Sequence, residues 1–135
     1  MDGTRARTGA QRAGDAAESH VASRLKAAGW TILGRNIRVG RAEIDLLAVD
    51  PGPPRTLVVL EVRFRSRREF GLGEETITRR KRILLRAALA TLRDAGTLPT
   101  GHALPHLASR FDLVIVEPAP RPGDPTRVRH HPHAF

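Results

Sequence analysis

The stretch that decides the fold runs from position 42 to position 63 and reads AEIDLLAVD, PGPPR and TLVVLEVR in succession. The first and third parts are rich in Val, Ile and Leu, which favours buried strands. The PGPPR part, at positions 51–55, consists of residues that favour turns. Two strands joined by so short a turn pair antiparallel, so the stretch predicts a β-hairpin at the centre of the fold.

The predicted hairpin carries charged side chains where its strands should be buried. With the turn centred on positions 51–55, the antiparallel register places Asp45 opposite Glu61 and Glu43 opposite Arg63. Directly opposed like charges destabilise a sheet, so the two facing acids need a compensating cation or a shared proton. The alternative is an ordinary ion-pair ladder, in which Arg63 neutralises Glu43 and loop donors bind Asp45.

Composition indicates a soluble protein with a single domain. With 135 residues, the chain is long enough for one domain with its own core. It has no cysteine, which excludes disulfides and thiolate metal sites. No apolar run approaches the ~20 residues that span a membrane, and the basic N-terminus lacks the apolar segment of a signal peptide. We therefore expect a cytoplasmic protein with no membrane partner.

The charge balance indicates a polyanionic partner. Lys and Arg together number 23 against 14 Asp and Glu, which gives a formal net charge of +9. Nucleic acid is the commonest partner of so basic a chain. The alternative is that an arginine-rich composition reflects GC-rich codons. Aromatic residues make up 4% of the chain, too few for a platform that stacks single-stranded bases.

Hydrophobic periodicity predicts further elements on both sides of the hairpin. In chain order, the whole set is a helix over 15–28, a strand over 30–38, the two hairpin strands, a helix from Thr76 or Thr78 to 95, and a strand over 110–117. Asp15 is expected to cap the first helix, and Gly96 is expected to end the second. Three successive strands with short turns imply an antiparallel meander.

The two ends of the chain are predicted to be less regular. Residues 1–12 are small, polar and basic and are expected to be flexible. Residues 13–117 are expected to form the folded domain, and residues 118–135 a proline-rich connection and tail with a short edge strand near Val128. Three histidines of this tail lack the spacing of a zinc motif, namely His130, His131 and His133.

Two charged residues outside the hairpin are candidates for function. Glu18 lies on the apolar face of the first predicted helix, so it should be paired or functional. The alternative is a glutamate that is favoured near the helix start and reaches water. Lys81 leads the apolar stripe of the second helix and could reach the hairpin, or it could be a core-edge lysine with a buried stem.

Arginines outside the hairpin are placed to contact phosphates, because guanidinium forks match phosphate oxygens. The candidates are Arg65, Arg67 and Arg68 in the loop after the hairpin, and Arg79, Arg82, Arg86 and Arg93 in an outward stripe of the second helix. Such a stripe suits a nucleic-acid backbone. Solvated surface charge is the alternative for each of them.

The predicted elements could bring Glu18, Asp45 and Glu61 together around a metal ion. Hard carboxylate oxygens suit Mg²⁺ or Mn²⁺, and either ion would offset the carboxylate repulsion and polarise a phosphodiester. Arg63 or Lys81 could then stabilise the charge that develops on the phosphate. Arg63 cannot act as a general base at neutral pH, because guanidinium keeps its proton.

Several short motifs follow one another along the chain. They are Gly14-x-x-x-Glu18, Ala42-Glu-Ile-Asp45, Glu61-Val-Arg63-x-Arg65, Phe70-Gly71, Thr78-x-x-Lys81, Arg110-Phe-Asp112 and a final His-x-His-Ala-Phe. In these motifs the sequence resembles the YraN-type bacterial proteins, a family proposed to contain endonucleases. That family is similar to the PD-(D/E)XK nucleases, including the archaeal Holliday-junction resolvases. The resemblance runs from Gly14 to Phe135.

The resemblance implies a restriction-endonuclease-like α/β fold with an α-β-β-β-α-β core, in which helices flank a mixed sheet. It maps Glu18 onto the first-helix acid, Asp45 onto the metal-binding aspartate, and Glu61 with Arg63 onto the Glu-x-Lys motif. Arg63 therefore stands where the superfamily has lysine. Ala42 stands where the family has glycine, which is a milder departure.

Three hypotheses follow. The first is a Mg²⁺- or Mn²⁺-dependent endonuclease acting on DNA, with branched or flapped substrates and a sheet-edge homodimer as in the resolvase-like relatives. The second is a non-catalytic nucleic-acid-binding module that retains the nuclease fold. The third is an interaction domain for an acidic protein. Metal-dependent cleavage separates the first hypothesis from the other two.

Overall fold

Over the residues that the structure describes, the fold is a mixed α/β domain with two helices and one sheet, as expected. The computed structural model describes residues 8–65 and 77–135. Its elements in chain order are α1 (Gly9–Ala27), β1 (Thr31–Val39), β2 (Ala42–Asp50), β3 (Thr56–Phe64), α2 (Arg79–Ala95), β4 (Ser109–Glu117) and β5 (Arg127–His131). The helix-strand-strand-strand-helix-strand order confirms the core implied by the resemblance.

The sheet follows the chain order β1-β2-β3-β4-β5. The first three strands form the expected antiparallel meander. β4 lies parallel to β3, because α2 carries the chain back to the start of the sheet between them. β5 pairs antiparallel with β4 and supplies the short edge strand expected near Val128.

The hairpin has the predicted register. Backbone pairing runs from Asp50 opposite Thr56 at the turn to Leu46 opposite Leu60. The paired ladder stops there, so Asp45 and Glu61 stand just beyond its last rung. The turn at positions 51–55 fixed this register, because it set which residues of the two strands face each other.

The first helix begins earlier than predicted. Asp15 was expected to cap it, but α1 starts at Gly9 and Thr8 is its N-cap. The Thr8 hydroxyl accepts a hydrogen bond from the Gln11 backbone N–H at 3.1 Å, and the Gln11 side chain accepts one from the Thr8 N–H at 2.8 Å. This reciprocal capping box is worth more than an isolated Asp, so part of the stretch expected to be flexible is helical.

The second helix has the predicted ends. The Thr78 hydroxyl accepts a hydrogen bond from the Lys81 backbone N–H at 3.2 Å and so caps the first turn. Gly96 ends the helix with a left-handed φ of 73°, which glycine adopts without strain. Thr76, the other candidate cap, lies outside the described residues.

The core has one layer on each face of the sheet. The α1 layer contains Val21, Ala22 and Leu25 against Leu46, Ala48, Val58, Leu60, Val114 and Val116. The α2 layer contains Leu85, Ala88, Leu89 and Leu92 against Ile44, Leu47, Leu57, Val59 and Phe111. Trp30 packs at the edge of the α1 layer. No helix in the described ranges is both long and apolar enough to cross a membrane.

A buried polar network joins β4 to the segment after β5. Asp112 is fully buried and accepts hydrogen bonds from Arg110 Nε at 2.8 Å and Arg110 Nη2 at 3.0 Å. His130 Nε2 lies 2.7 Å from its Oδ2, and the His133 backbone N–H donates to its Oδ1 at 3.1 Å. Arg110 also lies 3.0 Å from an oxygen of Asp50. The network therefore ties three parts of the chain together.

This network predicts acid-sensitive stability. Burial alone would raise the pKa of Asp112, but hydrogen bonds from His130 and Arg110 outweigh burial and hold that pKa below its usual value. The unfolded chain therefore binds this proton more readily than the folded chain does. The contribution of Asp112 is present at neutral pH and is lost as the pH falls below about 4.

Asp112→Asn tests this contribution. At pH 7 the substitution is expected to lower the free energy of unfolding by about 3 kcal/mol, because the largely buried Arg110 then keeps only one of its two carboxylate partners, Asp50. Urea unfolding of both proteins between pH 7 and pH 3 should show the difference shrinking as the pH falls. A difference that stays constant over this range would contradict the assignment.

Candidate active site

Asp45 and Glu61 contact each other where the hairpin ladder ends. The Val62 backbone N–H donates to Asp45 Oδ2 at 2.9 Å. Beyond the last backbone pair of the hairpin, the Asp45 side chain therefore accepts the hydrogen bond of this strand N–H. Burial, the hydrogen bond to Glu61 and the Glu61 charge raise the pKa of Asp45 to about 9, against the opposing effect of the Val62 N–H. The predicted clash of two carboxylates is therefore present, and it favours the protonated form of Asp45.

Lys81 reaches this pair from α2, as the sequence analysis anticipated. Its Nζ lies 2.5 Å from Glu61 Oε2, and the exposed side-chain fractions are 43% for Lys81 and 3% for Glu61. Glu61 is therefore a buried acid whose charge Lys81 balances from the side of α2.

Glu18 lies on α1 and is buried, as expected from its place on the apolar face of that helix. Its Oε1 lies 4.0 Å from Arg35 Nη2 and makes no hydrogen bond within the described parts of the chain. Burial raises the pKa of Glu18, although a hydrogen bond with Asn36 and the Arg35 charge act in the opposite direction. Its charge also contributes to the raised pKa of Asp45, so the three acids influence one another.

A cavity of about 380 Å³ opens beside Asp45. It is lined by Arg41, Ala42, Glu43, Asp45, Thr78, Arg80, Lys81, Leu84 and Leu85. Its walls come from β2 and from the first turns of α2, and they carry both carboxylates and cations. A phosphate group could therefore approach the carboxylate pair while it is flanked by positive charge.

The donor set fits a hard divalent cation that keeps most of its water. Across residues 8–65 and 77–135, no three acidic or histidine side chains already form a metal cage. Mg²⁺ is commonly held by one or two carboxylates plus water, which the Asp45–Glu61 pair provides. The contact between the two carboxylates, which raises the pKa of Asp45, marks a place where a divalent cation would relieve repulsion.

Two arginines that line the cavity were not among the candidates. Arg41 lies in the turn between β1 and β2, and Arg80 precedes Lys81 in the first turn of α2. Proximity to Lys81 was the only sequence signal for Arg80, and Arg41 had none beyond its charge. Arg63 is half-buried near the end of β3, where its side chain leaves the strand on the same face as Glu61.

The other arginine candidates are only partly as predicted. The stripe of α2 was expected to face outward, but three of its members contact the protein itself. Arg82 Nε donates to the Ile77 carbonyl at 3.0 Å, the Arg86 guanidinium lies 4.8 Å from the Phe111 ring centroid, and Arg93 donates to the Leu107 carbonyl at 2.9 Å. The stripe runs along the border of the core, which explains these contacts.

The remaining arginine candidates divide by position. Arg79 of the α2 stripe is exposed, and Arg65 is half-buried just after β3. Arg67 and Arg68 lie outside the described residues.

Glu43 has a partner that the sequence analysis missed. It forms an ion pair with Arg38 at 3.3 Å, whereas the sequence analysis considered only Arg63 opposite it. Arg38 faces Glu43 in the β1–β2 ladder. The tight turn between Val39 and Ala42 sets this pairing.

Comparison with known proteins now identifies the family. The model of a family described as "Uncharacterised protein family UPF0102" matches residues 17–116. This chain belongs to UPF0102. The matched range contains Glu18, Asp45, Glu61 and Lys81, and membership of UPF0102, the YraN family, confirms the resemblance drawn from the motifs.

Relatives within UPF0102 match most of the chain. A UPF0102 protein of Symbiobacterium thermophilum, STH1475, is 40% identical over 111 residues, which cover 82% of this chain and 86% of the relative. One from Bifidobacterium longum subsp. infantis is 34% identical over 87% of this chain and 88% of its own length. One from Deinococcus radiodurans is 42% identical over 62% of this chain and 68% of its own. These names state no activity, so the function must be argued from the site.

Proposed function

We propose that this protein is a divalent-metal-dependent endonuclease that acts on DNA. The observation that carries the proposal is the buried contact between Asp45 and Glu61 beside Lys81, at the edge of an open, positively flanked cavity. Two carboxylates that must share a proton are costly for the fold. A cation site is the simplest function that explains why both are kept in contact.

Asp45 and Glu61 would hold the metal, and Glu18 would assist from α1. Mg²⁺ or Mn²⁺ bound there would polarise a phosphodiester and lower the pKa of a bound water. Among the protein's own groups, the Lys81 ammonium is nearest to the pair, where it balances the charge of Glu61 and stabilises negative charge that develops on the phosphate. Arg63 adds fixed positive charge because it cannot release its proton.

The charge distribution supports DNA as the substrate. A net charge of +9 favours a polyanion, and Arg41 and Arg80 line the cavity next to the carboxylates. These two cations are placed to hold phosphates on either side of the bond to be cleaved. The resemblance to resolvases supports branched or flapped DNA and a sheet-edge homodimer, and a DNA substrate agrees with a cytoplasmic location.

A second candidate is a DNA-binding module that does not cleave. It is favoured by one observation, namely that Arg63 occupies the superfamily lysine position while Lys81 is held against Glu61. In this case the basic cavity would bind phosphates, and the carboxylates would only shape it. Binding would be tight and would weaken steeply with salt, without any product.

Cleavage of labelled linear, flapped and four-way DNA in Mg²⁺, Mn²⁺ or EDTA tests the proposal. We expect cleavage with either metal, none in EDTA, and a loss of about 10²-fold or more in Glu61→Gln. Glu117→Gln is the matched control, because Glu117, like Glu61, is a buried glutamate that pairs with a cation, in this case Arg129. The Glu117→Gln protein should keep its activity.

The outcomes separate the candidates. Cutting that survives in EDTA or in Glu61→Gln would contradict the proposed site. Absence of cutting together with salt-sensitive DNA binding would support the second candidate. Neither cutting nor binding would leave an acidic protein as the remaining partner class.

A further inference from the structure

Among the residues that the structure describes, no helix covers the later part of β4 on the side of α2. This helix packs mainly against β2 and β1, and at β4 it reaches Phe111. There Ile77, Leu113 and Ile115 form a buried cluster, and Ala134 and Phe135 pack against this cluster. A short segment after β5 therefore covers the apolar side chains of β4, as the helices cover those of the other strands.

Three contacts hold this segment, residues 133–135, which we call the strap. The His133 N–H donates to Asp112 Oδ1 at 3.1 Å, and the Ala134 N–H donates to the Phe111 carbonyl at 2.8 Å. The Phe135 ring centroid lies 5.1 Å from that of Phe111. His133 has a left-handed φ of 53°, which turns the chain around the edge of β4. The strap thus passes from one face of the sheet to the other.

The strap meets the start of α2 through Ile77. This residue is 3% exposed and immediately precedes Thr78, the N-cap. The Ile77 carbonyl accepts a hydrogen bond from Arg82 at 3.0 Å, and Thr78 caps the N–H of Lys81 at 3.2 Å. The cluster that Phe135 joins therefore fixes the turn of helix that carries Lys81.

The same cluster also supports Glu61. Leu113 faces Glu61 directly in the parallel β3–β4 ladder, and paired residues in such a ladder project from the same face. Phe135 therefore packs on a cluster with Ile77 on the helix side and Leu113 on the strand side. The cluster therefore adjoins the cap of the helix that carries Lys81 and the residue that faces Glu61.

We propose that the strap positions Lys81 against Glu61, with Phe135 as the positioning residue and Asp112 as its anchor. Loss of the Phe135 ring would leave a void beneath Ile77, and neighbouring groups would shift to fill it. Because Ile77 sets the start of α2, that shift moves the Lys81 ammonium away from the carboxylate. This inference concerns the geometry of the ion pair and stands whether or not the protein cleaves DNA.

The chain offers a direct probe of this geometry, because Lys26 and Lys81 are its two lysines. Reductive ¹³C-dimethylation keeps the positive charge of lysine and gives each lysine, and the N-terminal amine, a methyl resonance. Lys26→Arg and Lys81→Met assign the two lysine signals, and Glu61→Gln gives the position of the Lys81 signal when the ion pair is absent. In Phe135→Ala, the Lys81 signal is expected to move at least half of the way to that position, while Lys26 stays in place.

Two controls separate positioning from a general loss of stability. Phe135→Leu keeps most of the apolar volume and should leave the Lys81 signal near its wild-type position. Leu98→Ala removes a buried side chain from the α2 layer, in the loop after α2, and should destabilise the protein without moving the signal. If Phe135→Ala fails to fold, the proposal predicts a displacement in Phe135→Val that exceeds the one in Phe135→Leu.

The proposal would be overturned by a wild-type Lys81 signal in a folded Phe135→Ala protein, or in Phe135→Val if the alanine variant does not fold. An equal displacement in Leu98→Ala would also overturn it, because any destabilisation would then have the same effect. Failure of the DNA-cleavage test would leave the result unchanged, since the signal is recorded without DNA or metal.

Discussion

Asp45→Asn is expected to abolish metal-dependent cleavage and, at the same time, to make the metal-free protein more stable. The variant lacks one of the two carboxylates that would hold the ion, so cleavage should fall by about 10³-fold. Asparagine has the same shape, so its oxygen can still accept from the Val62 N–H, and its NH₂ group can donate to Glu61. The repulsion between the two acids disappears, which should raise the free energy of unfolding by about 1–2 kcal/mol.

Two measurements check this pair of effects. Denaturant unfolding in EDTA should give the higher stability for Asp45→Asn. Addition of Mg²⁺ or Mn²⁺ should stabilise the wild type and not the variant, because a ligand stabilises only the folded state that binds it. Asp94→Asn, on the exposed side of α2, is the matched control and should change neither property. A variant that is less stable than wild type in EDTA would argue against a strained carboxylate pair.

Lys81→Met is expected to have the second-largest effect, a loss of about 10²-fold or more in kcat with little change in KM. Methionine keeps the apolar stem and removes the charge, so DNA binding at the surrounding arginines should persist. Glu61 is then left buried without its cation, which should lower the free energy of unfolding by about 1–2 kcal/mol, since Lys81 itself is partly exposed.

Lys81→Arg and a double variant identify what Lys81 supplies. Arginine keeps the charge but holds its proton, so restored stability with low activity would mean that Lys81 transfers a proton. Restored activity would mean that charge alone is needed. In the Glu61→Gln background, Lys81→Met should cost less stability than in wild type. Equal costs in both backgrounds would show that the ion pair contributes nothing to folding.

The parts of the site that could be predicted from the sequence lie within short, regular segments. The turn at positions 51–55 set the hairpin register, so the approach of Asp45 to Glu61 followed from counting residues. Helical periodicity placed Glu18 and Lys81 on inward faces, and Gly96 marked the end of α2. In each case a local rule acted over a few residues.

The parts that could not be predicted depend on distant pairing. Asp112 meets His130 across the proline-rich connection, and the strap reaches Phe111 only because β5 places it there. Arg82 and Arg86 turn toward the protein because the core border runs along their stripe. None of these contacts has a signature within one window of sequence.

The parallel pairing of β3 with β4 has a consequence for synthesis of the chain. β3 pairs first with β2, its neighbour in sequence, and such hairpins close within about 1–10 µs. β4 follows only after α2 and the loop beyond it, and non-local pairing of this kind is slow. Until then, Leu57 and Leu60, which end fully buried, belong to a strand with an open hydrogen-bonding edge. A nascent chain that stops before Ser109 therefore exposes a strand edge of the kind that pairs with other chains, and β4 closes that edge when it pairs with β3.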